Sequence, residues 1–122
     1  RALESDGVTL RGPVPKAALI EELRTARLML YRGDLNETFC LAVGEAQAMG
    51  VPAVVEKLGS VSERVIDGET GFVAAGAAAF AEAAKRLLTD DDLWRAQHLA
   101  AIEKQRQWRW ADAAAAFEKL IP

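Results

Sequence analysis

The sequence contains little cysteine and histidine, the residues that form disulfides or commonly bind transition metals. Among its 122 residues there is one cysteine, Cys40, and one histidine, His98. A single cysteine excludes an internal disulfide and fits a reducing compartment. No serine or cysteine partner is evident for the histidine, which falls in a helical pattern. We therefore interpret His98 as a structural residue.

Charge of one sign and long apolar runs are also lacking. The chain has 15 basic and 18 acidic residues, a net charge of −3. This gives no positive surface for a polyanion, which argues against a nucleic acid partner. No apolar run approaches the ~20 residues of a membrane span, and the first residues do not resemble a signal peptide. We expect a cytoplasmic location, which leaves open a position peripheral to the inner face of the membrane for a full-length parent.

Short β-prone runs alternate with helical patterns along the chain. The β-prone runs cover residues 8–10, 27–31, 51–55 and 72–74. Helices are predicted from residue 15 to about 26 and over residues 38–49, 77–88, 91–105 and 110–120. This alternation predicts an α/β fold, a partial Rossmann-like parallel sheet with flanking helices. Ligands bind beyond the carboxyl ends of such strands, so the candidate ligand loops are 11–15, 32–39 and 56–63.

The segment from Gly33 to Gly50 is the most informative part of the sequence. It crosses a predicted strand end and enters a predicted helix, whose first turn includes the N–H groups of Phe39, Cys40 and Leu41. These groups lack partners within the helix, and the helix dipole adds about 0.3–2 kcal/mol per favourable charge contact. We therefore expect a phosphate site at this helix start, with Gly50 as the C-terminal cap.

Two glutamates flank the predicted phosphate site. Glu37 precedes the helix, and Glu45 lies about two turns inside it, roughly 9 Å along the axis. A diphosphate at the helix start would let its ribose run back to Glu45, whose carboxylate can accept bonds from two hydroxyls. Glu37 would then face whatever the diphosphate carries. The spacing alone leaves open that both are solvated surface glutamates.

The surrounding residues carry a family resemblance. The run Glu37-Thr38-Phe39-Cys40-Leu41 is followed by Glu-Ala-Gln-Ala-Met-Gly-Val-Pro-Ala-Val-Val at 45–55. Further runs are Gly-Ser-Val-Ser-Glu at 59–63 and Asp-Gly-Glu-Thr-Gly-Phe at 67–72. Together they resemble the donor domain of the family 4 glycosyltransferases, which have the GT-B fold. In that family two glutamates separated by seven residues occur in a similar setting.

The resemblance implies a retaining transferase that uses a nucleotide-diphosphate sugar and usually needs no metal. The resemblance implies no cofactor besides this donor substrate, and it does not identify the acceptor. By the same resemblance Glu45 binds the ribose hydroxyls, and Glu37, the candidate catalytic residue, contacts the transferred sugar. Four backbone amides would approach the diphosphate and sugar, and two residues would lie near the base: Thr38, Phe39, Cys40 and Leu41, and Pro13 and Val14.

The chain resembles only the C-terminal part of such an enzyme. Residues 1–122 would form a single partial domain without the N-terminal acceptor-binding domain and without the first two strands of the donor domain. Those strands would be central, so their absence would leave a bare parallel edge at residues 28–31. We expect a dimer, a strand swap or re-pairing through that edge.

Two classes of function remain open. The first is the donor-binding part of a retaining glycosyltransferase, with transfer only in the full-length parent and none by this piece alone. The alternative is a non-catalytic α/β interaction or regulatory module that keeps the scaffold. Retention of both Glu37 and Glu45 favours the first class. The three consecutive aspartates at 90–92 are interpreted as a helix cap rather than a metal cluster.

Overall fold

The computed structural model describes residues 7–107 and 109–121. In this part of the chain three parallel strands, in the order β1-β2-β3, lie among five α-helices and one 3₁₀ helix. The predicted α/β class, with a parallel sheet and flanking helices, is confirmed. The elements in chain order are α1 (Lys16–Thr25), β1 (Met29–Tyr31), α2 (Leu41–Ala48), β2 (Ala53–Glu56), the 3₁₀ helix (Val61–Arg64), β3 (Gly71–Ala74), α3 (Ala77–Thr89), α4 (Asp91–Arg106) and α5 (Trp110–Glu118).

Strand β2 is the centre of the sheet and is buried along its whole length. Its side chains alternate between two clusters, as the period of two in a strand requires. Val55 packs with Val43 of α2, whereas Val54 packs with Leu87 of α3. A strand covered on both faces needs the continuous apolar run that the sequence has here. Helices α2 and α3 therefore lie on opposite faces of the sheet.

Helix α2 ends one residue earlier than predicted and begins three residues later than predicted. Gly50 follows the helix with a φ of 82°, and a Cβ added there would lie 2.4 Å from the His98 ring. The predicted start at residue 38 is wrong, because Cys40 has a φ of 52° and a ψ of 66°. This left-handed conformation cannot continue a right-handed helix, so the first helical residue is Leu41.

The predicted strand at residues 8–10 is also wrong. Val8 forms only an isolated bridge, and Thr9 and Leu10 belong to no strand. These side chains are exposed, and β-prone residues do not form a strand without a neighbour to pack against. Within the described residues β1 pairs with β2 alone, and Leu30 on this edge is 54% exposed.

Helix α4 is fixed at its start and middle by polar contacts. Asp90 caps it through a hydrogen bond to its carboxylate from the Leu93 amide (2.9 Å), which confirms the interpretation as a helix cap. His98 stacks on Trp94 and is hydrogen-bonded to the Gly50 carbonyl (2.6 Å), in line with a structural role. Within residues 7–107 and 109–121, no helix has the length and apolar character needed to cross a bilayer.

Candidate functional site

The loops after β1 and β2 meet at the carboxyl edge of the sheet. Both the amide and the hydroxyl of Ser60 donate to the Glu37 carbonyl, at 3.1 and 3.0 Å. A Cβ on Gly59, whose φ is 58°, would lie 2.2 Å from the Asp34 carbonyl oxygen, so only glycine fits between the loops. Two of the three candidate ligand loops are thereby joined around the start of α2.

The carboxylate of Glu37 is bound from two sides. Its Oε1 accepts a hydrogen bond from the Cys40 N–H at 3.0 Å, and its Oε2 accepts one from the Tyr31 hydroxyl at 2.9 Å. The bonds from the Cys40 amide and then from Tyr31 favour the charged form, so the pKa of Glu37 lies below its ordinary value. The same bond raises the pKa of Tyr31. Glu37 is therefore an oriented anion beside the helix start.

Cys40 differs from the expectation that its amide is available to a phosphate. That amide donates to Glu37, and the thiol points into the core, where Cys40 is 3% exposed and packs with Val43 and Val55. Burial raises the pKa of the Cys40 thiol. A buried protonated thiol is a weak nucleophile.

Phe39 and Leu41 flank Cys40 and are both exposed, by 52% and 65%. The Arg64 guanidinium lies 3.4 Å from the centre of the Phe39 ring, and its Nε donates to the Phe39 carbonyl at 2.6 Å. Burial lowers the pKa of Arg64. A small cavity of about 60 Å³ adjoins this contact, lined by Thr38, Phe39, Ser60, Glu63 and Arg64. A cationic side chain therefore lies beside the start of α2.

Glu45 lies one helical turn from the start of α2 rather than two. Because the helix begins at Leu41, the axial separation is about 6 Å. Glu45 lines a cavity of about 210 Å³ together with Phe39, Leu41 and Arg64. Its Oε1 forms an ion pair with Lys16, the first residue of α1. Glu45 thus borders the cavity at the helix start, and its carboxylate is held from one side.

Pro13 and Val14 are exposed in the loop that leads to α1. Pro15 is the N-cap of that helix, and the next residue, Lys16, contacts Glu45. The loop with the two base-proximal candidates therefore ends beside the candidate ribose-binding residue.

The buried side-chain amide of Gln47 forms hydrogen bonds that connect α2 to neighbouring parts of the fold. The Nε2 of Gln47 donates to the Thr70 carbonyl and hydroxyl at 3.0 and 3.1 Å, and its Oε1 accepts from Gln105 at 2.7 Å. Gln105 also donates to the Arg64 carbonyl at 3.3 Å. This network connects α2, α4 and the segment that carries Arg64. Sequence reasoning missed it, because a glutamine in an apolar helix gives no signal of its partners.

Lys16, Tyr31 and Arg64 were also missed. Tyr31 is the last residue of a predicted strand, and Arg64 comes directly after the third candidate loop. The position of each residue in the sequence could therefore have indicated it. Lys16 is 29 residues from Glu45, and nothing in the sequence pairs them. Among residues 7–107 and 109–121, no group of three or more His, Cys, Asp or Glu side chains is placed to hold a metal ion.

Comparison with known proteins adds family information to this geometry. The sequence profile of a family described as "Glycosyl transferases group 1" matches residues 1–90. That range contains Glu37, Glu45, Lys16 and Arg64. The match thus includes every candidate site residue that the sequence predicts.

Several curated proteins named D-inositol 3-phosphate glycosyltransferase are similar to most of the chain. The protein from Corynebacterium diphtheriae is 38% identical over 110 residues, 88% of this chain and 26% of its own length. Those from Nocardia farcinica and Streptomyces avermitilis are 35% and 32% identical, over 90% and 92% of this chain and 25% and 24% of their own. The chain therefore spans about a quarter of the length of these relatives.

Proposed function

This chain belongs to the group 1 glycosyltransferases, and we propose that it forms the part of such an enzyme that binds the nucleotide-sugar donor. The parent enzyme would transfer the sugar from a nucleotide-diphosphate sugar to an acceptor with retention of anomeric configuration. The observation that carries the proposal is the shared cavity in which Glu45 meets Phe39 and Leu41 at the start of α2.

The diphosphate would bind at the start of α2. The N–H groups of Leu41 and Ala42 open this helix and have no carbonyl one turn back within it. The helix dipole and the nearby Arg64 guanidinium favour an anion there. Preorganised donors and positive charge would stabilise the leaving diphosphate, the task that a metal ion performs in other transferases.

The nucleoside would extend from the diphosphate towards α1. Glu45 lies one turn from the helix start, so its carboxylate is within reach of a ribose attached to a diphosphate bound there. The loop with Pro13 and Val14 ends next to Glu45, which supports a base site on the same side. Glu45 would accept hydrogen bonds from the two ribose hydroxyls, each contributing about 1.5–3 kcal/mol.

Glu37 would contact the sugar that is transferred. Its carboxylate is charged and oriented by the Cys40 amide and the Tyr31 hydroxyl. Both oxygens retain further acceptor capacity, because a carboxylate has about four lone-pair sites. Sugar hydroxyls delivered by the bound donor would use those sites.

The relatives' names support an acceptor class for the whole protein. They are called D-inositol 3-phosphate glycosyltransferases, and we propose an inositol phosphate as the acceptor of the enzyme to which this chain contributes. The acceptor-binding site would lie in the part of the enzyme that the relatives possess beyond the matched quarter of their length.

The bare edge of the sheet supports a proposal about assembly. Strand β1 pairs with β2 alone among the described residues, and Leu30 on that edge is exposed. An unpaired parallel edge is a template for another strand. We propose that this chain, when it lacks further strands, dimerises or exchanges a strand at residues 28–31.

One observation favours the alternative, a non-catalytic module that retains the scaffold. The Cys40 amide already donates to Glu37, so part of the expected phosphate site is satisfied within the chain. A module of this kind would bind no nucleotide.

Calorimetric titration with UDP, GDP and ADP separates the two functions. We expect one of them to bind, and Glu45→Ala to weaken that binding about tenfold or more, through loss of the ribose contacts. Glu37→Ala should mainly weaken binding of the intact nucleotide-sugar donor. No binding at millimolar nucleotide would favour the module. Equal loss of free nucleotide affinity in both variants would instead contradict the separate roles of Glu37 and Glu45.

A further inference from the structure

Helix α1 begins directly beside the candidate ribose-binding residue. Lys16, its first residue, donates through Nζ to the Oε1 of Glu45. Between the two helices lies a groove of about 150 Å³, lined by Lys16, Ile20, Leu23, Glu45, Ala48 and Met49. The ammonium group therefore lies beside the Glu45 carboxylate in the lining of this groove.

The ion pair between Lys16 and Glu45 is too exposed to contribute much to the stability of the fold. The side chain of Lys16 is 66% exposed and that of Glu45 is 35% exposed. Water solvates both charges in such a pair, so its contribution to stability is small. The pair does restrict the carboxylate, because one of its oxygens is fixed by a partner on a different helix. Its main consequence is the orientation of Glu45.

We propose that Lys16 is a positioning residue for ribose recognition, which rests on the proposed function of Glu45. Lys16 holds the carboxylate through Oε1 and leaves Oε2 to accept hydrogen bonds from the 2′- and 3′-hydroxyls. An ammonium donates three hydrogens and accepts none, so it neutralises the carboxylate without consuming its remaining lone pairs. Preorganisation of this kind lowers the ordering cost that binding would otherwise carry.

The proposal predicts a specific dependence on the ribose. Lys16→Met keeps the length of the side chain and removes the charge. It should lower the affinity for whichever of UDP, GDP and ADP binds most tightly, by about threefold to tenfold. It should weaken the matching 2′-deoxynucleotide less, because one of the bonds that Lys16 orients is already absent. Lys85→Met, on the exposed face of α3, is the matched control and should change neither affinity.

A double-mutant cycle isolates the action of Lys16 through Glu45. If Lys16 acts only by holding the carboxylate, Lys16→Met has no further effect in a Glu45→Gln background. Calorimetry with the four chains supplies the cycle, and circular dichroism confirms that each is folded. Unchanged or tighter ribonucleotide binding by Lys16→Met overturns the inference, as do equal losses for both nucleotides or additivity with Glu45→Gln. If instead Glu45→Gln has no effect, or the unmodified chain binds no nucleotide, the proposed function itself fails.

Discussion

The Cys40 amide donates to the Glu37 carboxylate at 3.0 Å, across the loop that opens α2. This single bond connects two features of the site, the candidate sugar-contacting acid and the start of the helix that we propose binds the diphosphate. It places a negative charge where the helix start is positive, which stabilises the charge and lowers the pKa of Glu37.

The stability of the fold should depend on pH through Glu37. Its folded pKa lies below the unfolded value of about 4.3, so the stabilisation is fully present above that pH. It is lost as the pH falls through the lower folded pKa. Glu37→Gln should therefore be less stable than the unmodified chain at pH 7, and the difference should shrink towards pH 3, as measured by urea unfolding.

Glu82→Gln is the control for this pH dependence. Glu82 lies on the exposed face of α3, away from the loop. Its substitution should leave the stability difference small at every pH. A Glu37→Gln difference that stays constant from pH 7 to pH 3 would contradict the assignment of the bond.

Two substitutions at Cys40 isolate the strain of its backbone. Cys40→Gly and Cys40→Ala both remove the buried thiol, but only glycine adopts a φ of 52° without steric cost. We expect Cys40→Gly to be the more stable of the two by about 1–2 kcal/mol in urea unfolding. An alanine variant as stable as the glycine variant would show that the left-handed conformation is not retained.

The buried amide of Gln47 should be important for stability. Gln47→Leu removes the hydrogen bonds from Gln47 to the Thr70 carbonyl and hydroxyl and the bond that its Oε1 accepts from Gln105, at a cost of about 1–3 kcal/mol. Gln107→Leu, at an exposed position after α4, should change stability by less than about 0.5 kcal/mol. Similar unfolding midpoints for the two variants would contradict the role of the network.

Association through the edge of the sheet should depend on Leu30. A lysine on an edge strand opposes pairing with another chain, so Leu30→Lys should shift a dimer towards monomer in sedimentation equilibrium. Leu99→Lys, at an exposed position on α4, changes the charge equally and should leave the dimer intact. If the unmodified chain sediments as a monomer, the proposed association is wrong.

The sequence predicts the sheet and the end of α2 more closely than its start. The apolar run of β2 and Gly50 after α2 act locally, through burial and backbone conformation. The start at Leu41 depends on Cys40, a left-handed residue whose amide donates to Glu37 and whose thiol is buried in the core. The ion pair between Lys16 and Glu45 depends on how the fold places α1 beside α2, which no local pattern contains.

Amide chemical shifts show directly whether a nucleoside diphosphate binds along α2. The ¹⁵N-labelled chain is titrated with the tightest-binding of UDP, GDP and ADP. We expect the largest shift changes at the amides of Leu41, Ala42 and residue 45. In Glu45→Gln these changes should no longer reach saturation at the nucleotide concentration that saturates the unmodified chain. Binding whose largest changes lie on α3 or α5, with the amides at the start of α2 unmoved, would contradict this expectation.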